Sequence, residues 1–288
     1  MHYEGMIIRP PSEADSILLQ ATVGCSHNKC TFCGTYKGER FKIKSDDIIM
    51  ADIAFAAKNC KRQNRLFICD GDALIIPQKR LMAILVEIER QLPWVDRVGV
   101  YANAKGIRMK TVEEMKELRA HGLKIAYMGL ETGDDETLKS IRKGATAEAM
   151  IEMGKKIRSA GIALSITVLL GIAGKERSLI HAEATGRVLS AINPEYVGAL
   201  SLMLIPGTAL HDDLKAGRFE MIGSKEMLAE LRAMIAHTNM DGLFRSNHAS
   251  NYLPIRAKLP EEKKQTLDLI DAALAGKIAL RPEFLRAL

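Results

Sequence analysis

Three cysteines within nine residues near the N-terminus carry the strongest chemical signal in the sequence. Cys25, Cys30 and Cys33 are separated by four and then two residues. Three thiolates on one loop can hold three irons of a cubane iron–sulfur cluster and leave the fourth iron open to a small ligand. A structural zinc site, the alternative, would need a fourth protein ligand such as His27 or a distant thiol. The spacing therefore favours an open iron–sulfur site over a zinc knuckle.

The elements that position this loop alternate between apolar strands and amphipathic helices. The strand pattern appears at residues 16–23, 65–70, 97–101, 124–130, 163–170 and 196–204. The helical signals are a cap at Ser45, a start at Pro77, a capping box at Thr111 and Glu114, and periodic apolar residues over 146–160 and 176–192. Six strand–helix units predict an α/β fold with a parallel sheet, which right-handed crossovers would curl into an open barrel.

The composition changes after Pro206 and Gly207. Beyond this point the sequence predicts a helix over 224–237, a polar segment over 244–253 and a final helix opened by Pro260. We therefore expect two domains: a six-unit (β/α)6 partial barrel over residues 1–220, and a short C-terminal helical cap over residues 221–288 that packs on the barrel.

The cysteine loop and the strand exits resemble the radical S-adenosylmethionine (radical SAM) superfamily. Phe32 provides the aromatic residue that usually precedes the third cysteine. Four residues separate Cys25 from Cys30, whereas the usual motif has three; the longer spacing matches variants such as archaeal elongator catalytic subunits. Residues 128–133, Met-Gly-Leu-Glu-Thr-Gly, resemble a Gly-Leu-Glu-Ser-Gly run. That run is typical of the subgroup containing elongator catalytic subunits, methylthiotransferases and anaerobic coproporphyrinogen oxidase. The likeness covers about residues 14–220.

The resemblance implies two cofactors, a [4Fe–4S] cluster held by Cys25, Cys30 and Cys33, and S-adenosylmethionine. Phe32 would lie against the adenine, the turn at Gly71 and Asp72 would bind the methionine amino group, and the turn at Gly171 would let the backbone approach the adenine. Glu131 suits hydroxyl or cationic groups of a bound molecule, with a structural ion pair as the alternative. The cofactor-binding residues expected are Phe32, Asp70, Gly71, Asp72, Asn103, Glu131, Gly171 and Gly174.

The implied activity is reductive cleavage of S-adenosylmethionine to a 5′-deoxyadenosyl radical, which abstracts hydrogen from a small-molecule substrate. Reduced flavodoxin or ferredoxin would donate the electron. The reaction class, lyase or oxidoreductase, stays open. One alternative is a carbon–carbon lyase of the queuine-lyase type. Another is a non-catalytic haem carrier related to the anaerobic coproporphyrinogen oxidase, with His237 or His248 as haem ligand.

The polar segment over 244–253 is a candidate for closing the barrel and contacting the substrate. Arg245 would pair with an anionic group, and Asn247, His248 and Asn251 would contact polar edges. Tyr101, at the third strand exit, is a further candidate substrate contact. The alternative is a polar connection that caps the final helices.

Composition also bears on whether the protein is membrane-bound, secreted or nucleic-acid-binding. The 288 residues are 47% apolar and 26% charged, and the longest apolar stretch, 162–173, is too short and too β-like to span a membrane. No signal peptide is visible and the five cysteines do not suggest a disulfide framework, so we expect a cytoplasmic protein in which Cys60 and Cys69 are buried thiols. The net charge of +6 is dispersed and no basic binding module is found, so nucleic acid is not an expected partner.

Overall fold

The computed structural model describes residues 1–287, and the chain divides into two units. The first unit contains residues 1–28, 35–128 and 153–164. The second contains residues 29–34, 129–152 and the chain from residue 165 onward. The division passes through the cysteine loop, because Cys25 belongs to the first unit and Cys30 and Cys33 belong to the second.

The described strands follow the alternating pattern closely. They are β1 (Ile17–Leu19), β2 (Thr22–Val23), β3 (Lys42–Ile43), β4 (Arg65–Ile68), β5 (Arg97–Tyr101), β6 (Leu123–Glu131), β7 (Ala163–Leu170), β8 (Tyr196–Ser201), β9 (Gly242–Arg245) and β10 (Arg256–Leu259). The helices are α1 (Asp46–Asn59), α2 (Gln78–Gln91), α3 (Ala104–Arg108), α4 (Val112–Ala120), α5 (Asp135–Ser140), α6 (Ala147–Ser159), α7 (Gly174–Ile192), α8 (Ala209–Lys215), α9 (Ser224–His237) and α10 (Lys263–Leu274). Three short 3₁₀ turns begin at Pro11, Ala73 and Glu283.

In the first unit, β1, β4, β5 and β6 are parallel neighbours in that order, and β2 pairs antiparallel with β3. Helix α2 buries one apolar stripe, since Leu81, Ile84, Leu85 and Ile88 are at most 2% exposed. The predicted capping box opens α4, with Thr111 and Glu114 bonding each other's backbone amides. Parallel strands with this connectivity place all their carboxyl ends at one edge of the sheet.

In the second unit, β7, β8 and β9 are parallel neighbours, and β10 runs antiparallel to β9. One face of these strands is fully buried, as shown by Ile166, Val197 and Phe244, while the residues between them are more accessible. Helices α7 and α9 pack closely together. Gly186 permits this, because a Cβ there would lie 2.6 Å from the Met234 carbonyl oxygen.

All six predicted strands occur, although the first is divided into β1 and β2 and the last ends at Ser201. The sequence interpretation missed the short strands β3, β9 and β10. The pairing of β9 with β8 means that the chain beyond residue 220 continues the second unit's sheet, and the expected domain boundary at residue 220 stays a prediction. In residues 1–287, no helix is both long and apolar enough to cross a membrane.

Candidate cofactor and substrate site

The exit of β4 lies directly against the first cysteine. The amide of Gly71 donates a hydrogen bond to the Gly24 carbonyl at 3.1 Å, which joins this exit to the loop that follows β2. A Cβ built on Gly71 would lie only 2.7 Å from the Cβ of Cys25. Only glycine fits here without moving the cysteine, while the predicted contact of this turn with the methionine amino group stays a prediction.

Asp72, the next residue, is fully buried in a polar network of the first unit. Its Oδ2 accepts a 2.6 Å hydrogen bond from the hydroxyl of Ser26, which also accepts one at 2.8 Å from Asn103 Nδ2. The network therefore joins the residue after Cys25 to the exits of β4 and β5. Burial raises the pKa of Asp72 to about 6, against the opposing effect of the Ser26 hydrogen bond. A nearby cation would relieve the cost of ionising this carboxyl group.

Asp70 is also buried, and its contacts favour a structural role. It holds a left-handed conformation at φ +71° and accepts hydrogen bonds from Gln20 Nε2 at 2.6 Å and the Tyr36 hydroxyl at 3.3 Å. Burial raises the pKa of its carboxyl group. Both carboxylate oxygens are used inside the first unit, and the cofactor contact predicted for Asp70 has no support in these contacts.

Tyr101, at the end of β5, belongs to an aromatic cluster of the first unit. Its ring meets Phe67 edge-on with the centroids 5.0 Å apart, and the ring of Tyr127 lies at 6.1 Å. Burial raises the pKa of the Tyr101 hydroxyl well above its usual value. The cluster fixes the ring, and its predicted contact with a substrate stays a prediction.

The second half of the cysteine loop is anchored within the second unit. The Thr31 amide donates to the Ile141 carbonyl at 3.0 Å, and the Thr31 carbonyl accepts from the Leu210 amide at 3.0 Å. Phe32 packs against an apolar cluster that includes Ile141, Leu169 and Leu210 and keeps part of its surface accessible. The aromatic residue is therefore held by packing while part of it stays available to a ligand.

Glu131 ends β6 in a strained conformation and forms an ion pair. Its φ of +66° lies in the left-handed region, which is uncommon for a residue other than glycine. Its Oε1 lies 2.6 Å from Lys143 Nζ, and a Cβ on Gly129 would overlap this carboxylate. The structural ion pair considered as the alternative is present, while a role in cofactor binding stays a prediction.

The turn after β7 holds two glycines in left-handed conformations, while its predicted approach to the adenine stays a prediction. Gly171 has φ +82° and Gly174 has φ +65°. The Gly171 amide donates at 2.6 Å to Oε2 of Glu230, a fully buried residue of α9. The same oxygen lies 3.1 Å from His181 Nε2, and His181 Nδ1 lies 3.1 Å from the Thr132 hydroxyl.

Sequence reasoning missed this connection between the ends of β6 and β7. Glu230 and His181 are both 0% exposed, and they join the Gly171 turn to Thr132. The only available signal was an acidic residue on the apolar side of α9, between Met227 and Met234. A buried carboxylate with a partner holds backbone geometry, and we assign Glu230 and His181 a positioning role.

The segment over 244–253 is partly strand and partly turn. Asn251 is 3% exposed, and its amide accepts from the Ser201 hydroxyl at 2.9 Å and donates to the Ala199 carbonyl at 2.8 Å. These two bonds attach the turn to β8. The contacts therefore favour a structural role for Asn251 rather than the predicted contact with a substrate.

The other polar residues of this segment differ from one another. Asn247 is exposed, whereas His248 Nδ1 accepts from the Ser250 amide at 3.1 Å. Burial lowers the pKa of His248, and Arg281 adds to the effect. In His237, the other candidate haem ligand, Nδ1 lies at hydrogen-bond distance, 2.9 Å, from the Ala233 carbonyl oxygen. Arg245, at the end of β9, has its Nε shielded from solvent without a hydrogen-bond partner.

Within residues 1–287 no cysteine forms a disulfide, and Cys25, Cys30 and Cys33 are each partly accessible. Across residues 1–287, no three His, Cys, Asp or Glu side chains converge on a single metal ion. In a cubane cluster each cysteine binds a different iron, so its thiols stand farther apart than the ligands of one ion. Three partly accessible thiols outside any disulfide fit such a cluster as donors.

The remaining cysteines differ from each other. Cys69 is buried as expected, and burial raises the pKa of its thiol. Cys60 is partly accessible, so the prediction of a buried thiol is wrong there. It ends α1, and its carbonyl accepts a hydrogen bond from Trp94 Nε1 at 3.2 Å.

Comparisons with known proteins show what the chain resembles. It is 27% identical over 176 residues to tRNA-2-methylthio-N(6)-dimethylallyladenosine synthases from two strains of Dehalococcoides mccartyi, BAV1 and CBDB1. The match covers 58% of this chain and 41% of each synthase, so the chain spans less than half the length of these curated relatives.

Solved structures share the fold at low sequence identity. TsrM, a radical SAM methyltransferase from Kitasatospora setae, has a TM-score of 0.55 at 19% identity, covering 68% of this chain and 38% of TsrM. Coproporphyrinogen III oxidase (HemN) from Escherichia coli has a TM-score of 0.55 at 13% identity, covering 77% and 51%. Methylornithine synthase (PylB) has a TM-score of 0.54 at 15% identity, covering 78% and 63%. These likenesses confirm the α/β partial-barrel fold class.

The family assignment follows from the sequence match itself. Residues 19–181, more than half of the chain, match the Radical SAM superfamily. A [4Fe–4S] cluster and S-adenosylmethionine are the cofactors of that superfamily, as the cysteine loop and strand exits predict. The chain belongs to the radical SAM superfamily.

Proposed function

We propose that this chain binds one [4Fe–4S] cluster through Cys25, Cys30 and Cys33 and cleaves S-adenosylmethionine to act on a small-molecule substrate. The observation that carries the proposal is the close approach of Gly71 to Cys25, with the buried carboxyl group of Asp72 beside them. The turn thus brings a backbone edge and a potential acceptor for an ammonium group to the first cysteine. An ordinary surface turn needs neither.

When bound, the cluster and S-adenosylmethionine supply the electron transfer and hydrogen abstraction of the reaction. The protein supplies position. Gly71 lets the backbone reach the loop, and Asp72 offers a carboxylate that a positive group would stabilise in its ionised form. Phe32 presents a packed aromatic surface, and the Gly171 turn is held in place by Glu230.

Finer assignments belong to the same proposal. Reduced flavodoxin or ferredoxin would provide the electron, and the reaction would be that of a lyase or an oxidoreductase. The curated relatives are tRNA-modifying synthases by name, and this chain matches less than half of their length. The dispersed charge of the chain favours a small molecule over nucleic acid.

Anaerobic reconstitution tests the proposal. The chain should take up about four irons, and the variant with all three loop cysteines replaced by serine should take up essentially none. Cys69→Ala is the matched control, since this thiol is buried and outside the loop. Reduction with S-adenosylmethionine present should release 5′-deoxyadenosine and methionine. Stoichiometric zinc without iron would refute the cluster, and a loaded, reduced protein that releases no 5′-deoxyadenosine would refute the catalytic function.

A further inference from the structure

A row of residues crosses the more accessible face of β7–β10 in the second unit. Thr167 is in register with Gly198, Gly198 with Arg245, and Arg245 with Arg256. Their neighbours along the strands, such as Val197 and Phe244, point to the fully buried face. The four residues therefore share one face of the sheet and lie side by side on consecutive strands.

Open space lies above the centre of this row. A Cβ built on Gly198 would meet only Leu200 Cδ1, at the ordinary distance of 3.9 Å. Since adjacent strands are about 4.8 Å apart, Thr167 and Arg245 stand roughly 10 Å apart on either side of a residue without a side chain. The residues that flank Gly198 in this row carry a hydroxyl group and a guanidinium group.

The charges of this row are unbalanced. Arg245 and Arg256 are directly opposite each other in an antiparallel pair, where like charges repel. Within residues 1–287, neither guanidinium has an acidic partner or a side-chain hydrogen bond, and Arg245 Nε is hidden from solvent. A buried donor without an acceptor destabilises a protein, so the position favours binding of an anion.

The same face leads to the cysteine loop. Leu169 and Leu200 are in register two residues closer to the carboxyl ends of their strands than Thr167 and Gly198. Leu169 belongs to the apolar cluster against which Phe32 packs, and Leu200 packs against the same cluster. A molecule with a charged group at Arg245 and an apolar body along these leucines would extend toward the loop.

We propose that Arg245, with Arg256 and Thr167, forms a subsite for an oxyanion of the substrate, a carboxylate or a phosphoryl group, seated over Gly198. This inference rests on the proposed function in one respect, namely that the bound anion is part of the substrate. The guanidinium fork matches two oxygens of either group, and the hydroxyl of Thr167 offers a neutral donor. The substrate class is therefore an anionic small molecule.

Nuclear magnetic resonance of the full chain labelled with ¹⁵N-arginine tests the subsite directly. The Nε–Hε resonance that is absent from Arg245→Lys identifies Arg245. Inorganic phosphate and acetate, titrated separately at constant ionic strength, distinguish the phosphoryl and carboxylate arms. We expect one of them to shift this resonance saturably in the millimolar range. In Arg245→Lys, binding of the same probe is followed at the Nε–Hε resonance of Arg256, and it should be at least tenfold weaker than in the wild type.

Two further variants separate a built subsite from general charge attraction. Gly198→Val fills the gap and should abolish the saturable shift; if it does not fold, Gly198→Ala, whose methyl group meets only Leu200, should weaken binding. Arg62→Gln removes one exposed charge elsewhere and should leave binding unchanged. No saturable shift at Arg245, or equal shifts in the Gly198 variant that folds, would overturn the subsite. These titrations need neither cluster nor reductant, so their failure is distinguishable from failure to cleave S-adenosylmethionine.

Discussion

Replacing Asp72 by asparagine should remove a large pH dependence from the stability of the cluster-free chain. The carboxyl group is fully buried, and its pKa is raised from 3.8 to about 6. Because the native state favours the protonated form, the stabilising contribution is fully present below pH 3.8 and is lost as pH rises through about 6. A shift of roughly two pH units corresponds to about 3 kcal/mol, at 1.36 kcal/mol per unit.

Urea unfolding at several pH values between 4 and 7 measures this effect. The difference in unfolding free energy, Asp72→Asn minus wild type, should grow by about 2.4 kcal/mol from pH 4 to pH 7, because part of the full contribution is already lost at pH 4. Other titrating groups cancel in the difference when they act independently. Asp47→Asn, at an exposed position, controls for the loss of one negative charge. A difference for Asp72→Asn that stays constant across this range would refute the buried-carboxyl interpretation.

The same carboxyl group links stability to cofactor binding. If the ammonium group of S-adenosylmethionine pairs with Asp72, binding lowers the pKa of Asp72 and releases a proton below about pH 6. Affinity in the wild type should therefore fall as pH drops through 6, and Asp72→Asn should bind weakly with little pH dependence. Calorimetry in buffers of different ionisation enthalpy counts the protons. Equal affinity in the two proteins would show that Asp72 does not contact the ammonium group.

Three further substitutions test the supporting contacts. Gly71→Ala should cost about 1–3 kcal/mol in urea unfolding and lower iron uptake, since its Cβ would lie 2.7 Å from Cys25; unchanged iron content would contradict this. Glu230→Ala should cost roughly 3 kcal/mol by leaving the Gly171 amide unpaired, whereas Glu230→Gln keeps an acceptor and should cost less; equal losses would refute the positioning role. Asn251→Ala should cost about 2 kcal/mol by removing two buried hydrogen bonds; full stability with lost turnover would restore its assignment to the substrate.

The sequence predicts the central strands well for a physical reason. Strands such as 65–68 and 163–170 are apolar or β-branched and are followed by polar turns, so the pattern is visible without tertiary information. Strands β9 and β10 are four residues each, and β10 alternates Arg256 and Lys258 with apolar residues. Such short strands become stable only through pairing, of β9 with β8 and of β10 with β9, which local patterns do not encode.

The residues of the candidate site also divide into those that a local sequence pattern reveals and those that only the fold reveals. Gly71, Asp72 and Gly171 stand at strand ends, where a motif can be recognised. Glu230 reaches Gly171 from α9, 59 residues away along the chain, so no local pattern could connect them. The contacts of Asn251 were likewise not predictable, because a polar side chain in a turn suits a ligand or a backbone group equally well, and only the fold brings Ala199 within reach.

Each unit contains a site whose charged or ionisable groups a ligand of opposite charge would stabilise. In the first unit a buried carboxyl group resists ionisation, which a cationic ligand would reverse. In the second, two opposed guanidinium groups lack an anion within the described residues. Ligand binding at a hundredfold excess over its dissociation constant stabilises a protein by about 2.7 kcal/mol. S-adenosylmethionine should therefore stabilise the chain more strongly above pH 6 than below it, whereas the response to the anion depends on Arg245. Because the two sites take ligands of opposite charge, the two responses should be separable. Asp72→Asn should abolish the response to S-adenosylmethionine, and Gly198→Val should abolish the response to the anion.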